Sequence, residues 1–304
     1  MGLKRLLQAI LGRVPYISQL RQKAADQGLY PVGHYYSPVP DRTDVALGLE
    51  SPRATELPGI DLRSVAQKCL LEEFANFYPD LPFAEKFGTG KGRFYFDQGW
   101  FAHSDAIMLY GMIRKFRPKR IVEVGSGHSS AAVLDSLDAV SAQDCKVTLI
   151  EPHPERLHEL IDVENEPAVE LLQRPVQAVE ISRFESLEPN DLLLIDSSHV
   201  VKYGSDVHFL ILNVLPCLKP GVIVHFHDIF DSFEYPEDWL RKGLYWNEAY
   251  VLRAFLAGNP QWRILLFNDF VNRAHAEFIE QHMPLCRRGF GSSCYIQRSG
   301  GENP

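Results

Sequence analysis

The stretch Arg120-Ile-Val-Glu-Val-Gly-Ser-Gly-His-Ser-Ser130 decides the fold of this 304-residue chain. Its apolar residues before the first glycine are typical of a buried strand, and the residues from Ser129 to Leu137 have the pattern of a helix. A tight glycine turn between a strand and a helix leaves room above the sheet edge and directs free backbone N–H groups of the helix towards that room. The stretch therefore predicts a site for a small, nucleotide-like ligand.

Strands and helices alternate regularly from residue 104 onwards. The pattern and the turn residues predict strands at 120–124, 146–151, 168–172, 191–196, 222–227, 262–267 and 292–297. Helices are predicted between most of these strands, and Ser104 is predicted to cap the helix that precedes the first strand. This order indicates an α/β fold of the Rossmann-like, doubly wound type, with a mostly parallel sheet that ends in an antiparallel C-terminal hairpin.

Residues 1–100 differ in character and are predicted to form a helical and irregular cap on a ligand-binding domain of residues 101–304. The first 24 residues have the pattern of an amphipathic helix, with five basic residues and no acid. Such a helix could pack on its own protein, join two copies in a homo-oligomer, or contact an anionic membrane surface. Residues 28–60 are rich in proline and glycine and are predicted to be irregular, while residues 61–79 are predicted to be helical.

Composition limits the classes of function. The net charge of −8 argues against a nucleic-acid partner. The five cysteines are scattered without a Cys-x-x-Cys pair, which favours reduced thiols in the cytoplasm over a disulfide framework or a zinc site. No apolar run reaches the length of a transmembrane segment. We therefore expect a cytoplasmic protein whose partner is a small molecule.

Two classes of ligand compete for the glycine turn. A nicotinamide dinucleotide prefers Gly-x-Gly-x-x-Gly, but the third glycine position is Ser130 here. Glu151, at the end of the second strand, could bond a ribose diol in either case. Glu123 favours a cationic ligand such as S-adenosylmethionine, because a carboxylate repels a pyrophosphate in a cleft of low dielectric constant. The alternative for Glu123 is that its side chain faces solvent.

The motif set resembles that of the class I S-adenosylmethionine-dependent methyltransferases. Val-Glu-Val-Gly-Ser-Gly-His-Ser-Ser, the acid Glu151 and Leu-Leu-Ile-Asp196 stand in the order of that family over about residues 104–298. The resemblance implies a sheet of seven strands. It also implies cofactor contacts from Glu123 at the amino group, Gly125, Ser126 and Gly127 around the methionine part, Glu151 at the ribose hydroxyls, and residues 174–177 near the adenine. Asp196 is a further candidate for contact with the cofactor.

A second group of polar residues follows the fourth and fifth predicted strands. Asp196-Ser-Ser-His199 follows the fourth strand, and His225-Phe-His227-Asp228 ends the fifth. Because the carboxyl ends of neighbouring parallel strands lie together, these side chains are expected beside the cofactor, with His225 buried. Methyl transfer to a hydroxyl needs that hydroxyl acidified, which Mg²⁺ or another divalent cation achieves by coordinating it. Asp196, His227 and Asp228 are candidate metal ligands, and His199 is the candidate base.

This group resembles the metal-dependent branch of small-molecule O-methyltransferases, including bacterial enzymes of sugar and secondary-metabolite pathways. In that branch an acid ends strand four, Asp-x-x-His supplies the base, and an acidic or amide pair ends strand five. His227 departs from that pair. Simpler interpretations stay open: Asp196 could only cap a helix or contact the cofactor, the His227–Asp228 pair could rigidify a loop without a metal, and His199 could be structural.

The segment at residues 230–250 is rich in aromatic residues and is predicted to cover the acceptor pocket, or else to pack a subdomain or a dimer interface. Arg287 and Arg288 could meet an anionic group of the substrate or remain solvated. The predicted function is methyl transfer from S-adenosylmethionine to an oxygen of a small molecule such as a sugar or secondary metabolite. The rival functions are an NAD(P)-dependent oxidoreductase and a non-catalytic scaffold with a methyltransferase-like fold.

Overall fold

The computed structural model describes residue 15 and residues 29–51 and 56–300. The helix predicted over residues 1–24, with its suggested roles in oligomer or membrane contact, lies outside these residues apart from Pro15. Within the described ranges, none of the helices combines the length and the apolar character that a bilayer crossing requires.

The chain divides into two compact units. The smaller unit comprises residues 1–53 and 236–245, and the larger unit comprises residues 54–235 and 246–304. All candidate site residues belong to the larger unit.

The smaller unit contains a helix that the sequence did not indicate. Arg42–Glu50 is helical, although residues 28–60 are predicted to be irregular, so that prediction is wrong over this helix. The helix begins at a reciprocal cap, in which the Asp41 carboxylate accepts from the Asp44 N–H and the Asp44 carboxylate accepts from the Asp41 N–H. It buries no residue, so it lacks the apolar stripe that would have signalled it. A second helix of this unit is Glu237–Arg241.

One seven-stranded sheet forms the centre of the larger unit. Its strands are β1 (Arg120–Val124), β2 (Lys146–Ile150), β3 (Val169–Leu172), β4 (Leu192–Ile195), β5 (Ile223–Phe226), β6 (Trp262–Phe267) and β7 (Cys294–Arg298). They lie in the order β3-β2-β1-β4-β5-β7-β6, with β1 to β5 parallel and β7 antiparallel to both β5 and β6. This confirms the predicted α/β fold with a mostly parallel sheet and antiparallel C-terminal strands.

The order of strands reverses between β1 and β4. From β1 the chain continues to β2 and β3 on one side, and it then crosses to β4 and β5 on the other side. The carboxyl ends of β1 and β4 are neighbours, with Val124 paired to Ile195. Because the connections after these two strands leave in opposite directions, a crevice opens between them. The sheet thus provides one preferred place for a ligand.

Helices flank the sheet. In the larger unit they are Ser64–Phe77, His103–Phe116, His128–Ala139, Glu155–Leu160, Ser182–Glu185, Asp206–Phe209 with its π-helical continuation Leu210–Val214 and Leu215–Cys217, Glu248–Leu256, Asn268–Ala274 and Ala276–His282. Short 3-10 helices are Tyr78–Asp80, Val163–Asn165, Val176–Ala178 and Pro284–Arg288. The prediction that Ser104 caps a helix is wrong: Ala102 precedes that helix, and Ser104 lies in its first turn, where its hydroxyl accepts a hydrogen bond from Asn272.

The two antiparallel strands at the C-terminus do not form a tight hairpin. The helices Asn268–Ala274 and Ala276–His282 lie between β6 and β7. Neither helix was predicted, because polar residues such as Asn268 and Asn272 occupy buried positions and interrupt the apolar pattern. Their amide groups bond Asp105 and Ser104 on the helix His103–Phe116, so the insertion anchors β7 to that helix.

Candidate active site

The turn after β1 requires its first glycine. Gly125 has a φ of +79°, and a Cβ atom there would lie 1.9 Å from the carbonyl oxygen of Asp196. This contact arises because the ends of β1 and β4 approach closely at the crevice. Gly127 has an extended backbone, and a Cβ atom there would meet only the flexible side chain of Arg156, at 3.4 Å from Cδ. The first glycine is therefore fixed by the backbone, and the second is less constrained.

Ser130 occupies the position of the third glycine in a dinucleotide-binding motif. Its side chain is buried, and its hydroxyl accepts a hydrogen bond from the Gly127 N–H at 3.1 Å. Ser130 thus caps the start of the helix His128–Ala139 from within its first turn. The turn is closed by a side chain at the point where a dinucleotide motif has none.

Glu123 is fully buried beneath the turn and does not face bulk solvent. Its Oε1 accepts a hydrogen bond from the hydroxyl of Ser129 at 2.5 Å, while its Oε2 has no partner among the described residues. Burial raises the pKa of Glu123 to about 7, against the opposing effect of the Ser129 hydrogen bond. Ser129 lines the second cavity described below, so this hydrogen bond connects Glu123 to the wall of that cavity.

A first cavity of 440 Å³ opens at the carboxyl ends of β1, β2 and β4. Glu151, which follows β2, lines it, and its carboxylate accepts hydrogen bonds from the N–H groups of Ser126 and His153. The cavity is also lined by Pro175, Val176 and Gln177, which belong to the segment predicted to lie near the adenine.

A second cavity of 370 Å³ adjoins the first and shares Gly125, Glu151 and Asp196 with it. Its other lining residues come from the glycine turn, from the loop before the helix His103–Phe116, and from the ends of β4 and β5; they include Ser126, Gly127, His128, Trp100, Phe101, Arg156, His199, His227, Asp228 and Trp246. Apart from Glu123 and Arg174, the residues predicted to contact the cofactor, bind the metal or act as the base therefore line one of two adjoining cavities.

The three candidate metal ligands lie together on the wall of the second cavity. Asp196, His227 and Asp228 each offer one donor atom, and these atoms lie within 4.8 Å of one another. The His227 Nδ1 is 3.5 Å from Asp196 Oδ1 and 3.7 Å from Asp228 Oδ2, and it makes no hydrogen bond with any described residue. Two carboxylates and one unpaired imidazole nitrogen make a donor set that a divalent cation can use.

Asp105 lies behind His227 and was not identified from the sequence. Its Oδ2 is 3.5 Å from His227 Nε2, and its Oδ1 accepts hydrogen bonds from Ser292, Ser293 and Asn268. A carboxylate beside Nε2 favours the proton on that nitrogen and leaves Nδ1 free for the cavity. The sequence feature that could have indicated Asp105 is an acidic residue within a mostly apolar helix, His103–Phe116, because a buried acid needs a partner. Asp105 is 1 % exposed there.

His199 is held in a fixed position next to the candidate metal ligands. Its backbone has a φ of +58°, a conformation that is uncommon outside glycine and concentrates at functional sites. Its Nδ1 lies 2.9 Å from Glu248 Oε2, and its Nε2 lies 3.4 Å from Asp196 Oδ1 and 3.6 Å from Asp228 Oδ2. The ring of Trp246 packs on the imidazole at 4.3 Å. His199 therefore presents Nε2 to the acids of the cavity.

Glu248 is the second residue that the sequence did not reveal. It begins the helix Glu248–Leu256, is 1 % exposed, and accepts a hydrogen bond from the Ser197 hydroxyl at 3.0 Å in addition to its contact with His199. Acidic residues are common in the first turn of a helix because they interact favourably with the helix dipole, so the sequence offers no reason to place Glu248 in the site. Burial raises the pKa of Glu248, opposed by the bond to His199.

Charges in the cluster are strongly coupled. Burial alone would raise the pKa of Asp196, but the positive charges of His227 and His199 beside it hold that pKa below its usual range. Burial would lower the pKa of His199, but the bonds to Asp196 and Glu248 outweigh it and raise the pKa to about 10. Without a cation, the two histidines therefore offset the negative charge of Asp196.

Of the two features that could contact a substrate, the arginine pair lies outside both cavities, and the aromatic segment contributes one residue to the second. Arg288 pairs with Glu85, and Arg287 donates to the carbonyl of Asn272, and neither lines the two cavities. Within the aromatic segment, Trp246 lines the second cavity. Tyr235 is fully buried and packs against Trp246, as expected for a residue that supports a wall.

Comparison with known proteins assigns the class. Residues 122–229 match a family model described as a methyltransferase domain, and this range contains every site residue predicted from the sequence. Together with the motif set, the match identifies residues 122–229 as a methyltransferase domain of the class I S-adenosylmethionine-dependent type. Among the rival functions, the match favours an enzyme that transfers methyl groups over an oxidoreductase or a scaffold.

A relative of this chain occurs in an archaeon. An uncharacterized protein of Archaeoglobus fulgidus is 30% identical over 199 residues, which cover 61% of this chain and 87% of the relative. Two solved methyltransferases show weaker likeness. S-adenosylhomocysteine-bound PaMTH1 of Podospora anserina is 17% identical, covering 87% of this chain and 99% of that chain, with a TM-score of 0.41. The O-methyltransferase TomG of Streptomyces achromogenes, involved in tomaymycin synthesis, is 16% identical, covering 86% and 97%, with a TM-score of 0.41. Structural scores this low carry no argument about activity.

Proposed function

We propose that this methyltransferase transfers the methyl group of S-adenosylmethionine to a hydroxyl oxygen of a small molecule, such as a sugar or secondary metabolite, with the help of a divalent cation. The observation that carries the proposal is the cluster of Asp196, His227 and Asp228, whose donor atoms lie within 4.8 Å of one another on the cavity beside the glycine turn. A cytoplasmic location remains a prediction that rests on the scattered cysteines.

The cofactor is assigned to the two adjoining cavities. Glu151 would accept hydrogen bonds from the ribose hydroxyls, since it lines both cavities. Residues 175–177 would contact the adenine in the first cavity. Gly125, Ser126 and Gly127 would surround the methionine part in the second cavity. Ser129 lines the same cavity and donates a hydrogen bond to Glu123, so this pair would lie near the amino group of the cofactor.

The donor set fits a divalent cation. The His227 Nδ1 is buried without a hydrogen bond to a described residue, and such a nitrogen loses free energy unless something binds it. Two carboxylates with one imidazole suit Mg²⁺ or Mn²⁺, and the imidazole makes a first-row transition metal equally suitable. Asp196, His227 and Asp228 would hold the ion, and Asp105 would fix the tautomer of His227.

The chain's own residues position the acceptor and move its proton. When bound, the sulfonium cofactor supplies an electrophilic methyl group and the cation acidifies the acceptor hydroxyl. With the charge of Asp196 and Asp228 offset by a cation, His199 would be neutral, and its Nε2, which faces these acids, would accept the hydroxyl proton. Glu248 holds Nδ1 and keeps the ring in place. Trp246 would pack against the acceptor and exclude water from the reacting atoms.

The metal half of the proposal can be tested without knowing the acceptor. Mn²⁺ and S-adenosylhomocysteine are titrated calorimetrically into the wild type, Asp228→Asn and Asp231→Asn. Asp228→Asn should weaken Mn²⁺ binding by at least about 10-fold and leave S-adenosylhomocysteine affinity nearly unchanged. Asp231→Asn is the matched control, because Asp231 follows three residues later on the same loop but contacts Asp269 and Arg273.

The outcomes separate the two halves of the proposal. Equal Mn²⁺ affinity in the wild type and Asp228→Asn would remove the metal from the mechanism. Failure of the wild type to bind S-adenosylhomocysteine would remove the cofactor assignment as well. Once an acceptor is known, loss of turnover in a chelator and its return with Mg²⁺ or Mn²⁺ would support the oxygen acceptor.

A further inference from the structure

Arg156 lies at the second cavity and has no assigned role. It belongs to the first turn of the helix Glu155–Leu160, five residues after Glu151. Its guanidinium carbon lies 3.8 Å from the centre of the Trp100 ring, and Trp100 also lines the cavity. Its Cδ lies beside the Cα of Gly127, because a Cβ atom on that glycine would be 3.4 Å away. The side chain thus spans from the glycine turn to the cavity mouth.

Arg156 is the only lysine or arginine among the residues that line this cavity, and it has no carboxylate within 4.0 Å in the described part of the chain. The acids that share the cavity are already engaged. Glu151 accepts from two backbone N–H groups, and Asp196 lies against the two histidines. A guanidinium in a cleft without a carboxylate partner is an open site for an anion, since its planar fork matches a carboxylate.

A second polar group near Arg156 also lacks a partner. His128 lines the same cavity, is 7 % exposed, and has an Nδ1 that is buried without a hydrogen bond to any described residue. His128 is also the first residue of the twelve-residue helix His128–Ala139, whose N-terminal N–H groups favour a negative charge. An imidazole, a helix N-terminus and a guanidinium therefore surround one corner of the cavity.

We propose that Arg156 binds the carboxylate of the cofactor's methionine part, and that Trp100 holds the guanidinium in place through its ring face. This inference rests on the proposed cofactor site. The zwitterionic tail of S-adenosylmethionine carries one ammonium and one carboxylate. The proposed cofactor site assigns the hydrogen-bonded pair of Glu123 and Ser129 to the ammonium, which leaves the carboxylate without a partner. The face of Trp100 attracts the cation without using its N–H groups, which remain available for a two-point contact.

The test compares two ligands that differ by one carboxylate. S-adenosylhomocysteine and its decarboxylated derivative are titrated calorimetrically into the wild type, Arg156→Gln and Arg156→Lys. Arg156→Gln should bind S-adenosylhomocysteine about 10- to 100-fold more weakly and bind the decarboxylated ligand as the wild type does. Arg156→Lys should be intermediate, because an ammonium keeps the charge and loses the fork.

The matched control is Arg183→Gln, since Arg183 pairs with Glu170 and lines neither cavity. Its affinities should equal those of the wild type. Equal loss of both ligands in Arg156→Gln would show a structural role for Arg156 and overturn the proposal. Unchanged affinity of Arg156→Gln for S-adenosylhomocysteine would also overturn the proposal. A raised KM for the acceptor in that variant would then indicate that Arg156 binds an anionic group of the acceptor. If the wild type binds neither ligand, the cofactor site itself is wrong.

Discussion

At the scale of single residues, the buried carboxylate of Glu123 is the most unusual group in the site. It lies under the turn with one oxygen bonded to Ser129 and the other unpaired among the described residues. Burial moves its pKa from 4.5 to about 7, so the folded state binds the proton more tightly than the unfolded state does. Folding is therefore linked to pH through this one side chain.

Replacing Glu123 should change how stability depends on pH. The stability that Glu123 contributes is fully present below pH 4.5 and is lost as the pH rises through about 7. Relative to the wild type, Glu123→Gln should therefore gain roughly 2 to 3 kcal/mol of unfolding free energy between pH 5 and pH 8. Urea denaturation at the two pH values measures this difference.

The control for this change is Glu164→Gln, which alters an exposed acid on the same unit. Its stability relative to the wild type should stay constant across the same range. A pH-independent effect of Glu123→Gln would contradict the raised pKa of the buried Glu123 carboxyl group.

Glu248 is expected to act as a positioning residue for His199. Its carboxylate lies 2.9 Å from Nδ1 of the His199 imidazole. The amide of Glu248→Gln is neutral, so the substitution removes the charged partner that orients this ring. We expect kcat to fall by about 10- to 100-fold while S-adenosylhomocysteine affinity is retained. The assay is initial-rate kinetics with saturating acceptor, and calorimetry reports the cofactor.

Glu188→Gln serves as the comparison, because Glu188 is an exposed acid paired with Lys219. Partial recovery of kcat in Glu248→Asp would support positioning by a carboxylate. Loss of cofactor binding in Glu248→Gln would instead show that this buried acid holds the site together.

The sequence revealed the residues that follow strands and missed those that come from distant helices. Asp196 and His227 were found because the carboxyl ends of parallel strands meet at one edge of the sheet. Asp105 and Glu248 escaped because each lies on a helix far along the chain, and no local pattern shows which helix faces the site. The contacts that orient imidazoles are set by tertiary packing, which spacing alone does not contain.

At the scale of elements, the turn after β1 shows how one backbone contact fixes a site. Gly125→Ala would place a methyl group on the Asp196 carbonyl oxygen at a φ of +79°. We expect a loss of roughly 2 to 4 kcal/mol of unfolding free energy and of most cofactor affinity, because both β1 and β4 must shift. Gly127→Ala is the matched change in the same turn, and it should cost less than about 1 kcal/mol because Arg156 can move.

Denaturant unfolding and calorimetry measure both variants. Equal losses from the two substitutions would contradict the close approach of the β1 and β4 ends.

The strands of the sheet were predictable, and the insertion before β7 was not. Central strands such as β4 are apolar on both faces, because helices cover a parallel sheet on both sides, and that composition is visible in the sequence. The helices Asn268–Ala274 and Ala276–His282 bury polar side chains that bond to Ser104 and Asp105. Polar residues can be buried here because they form hydrogen bonds with partners that are distant in the sequence, and a hydrophobicity pattern does not contain that information.

At the scale of the whole molecule, the reversal of strand order explains why the cofactor cavities and the acidic cluster are neighbours. Glu151 follows β2, the glycine turn follows β1, Asp196 follows β4 and Asp228 follows β5, and these four strands are consecutive in the sheet. Asp196 lines both cavities, so one side chain borders the cofactor and the candidate cation together. The same topology makes ligand binding and folding of the larger unit thermodynamically linked.

This linkage leads to a prediction for the whole chain. S-adenosylhomocysteine at 100 times its Kd should raise the unfolding free energy of the larger unit by about 2.7 kcal/mol, because it binds the folded state alone. NADH at the same concentration should give no shift, since Ser130 closes the turn and Glu123 lies beneath it. Gly125→Ala should lose the effect of S-adenosylhomocysteine, because the crevice between β1 and β4 supplies the site. Denaturant curves with each ligand measure all three values, and stabilisation by NADH equal to that by S-adenosylhomocysteine would contradict a site selective for the sulfonium cofactor.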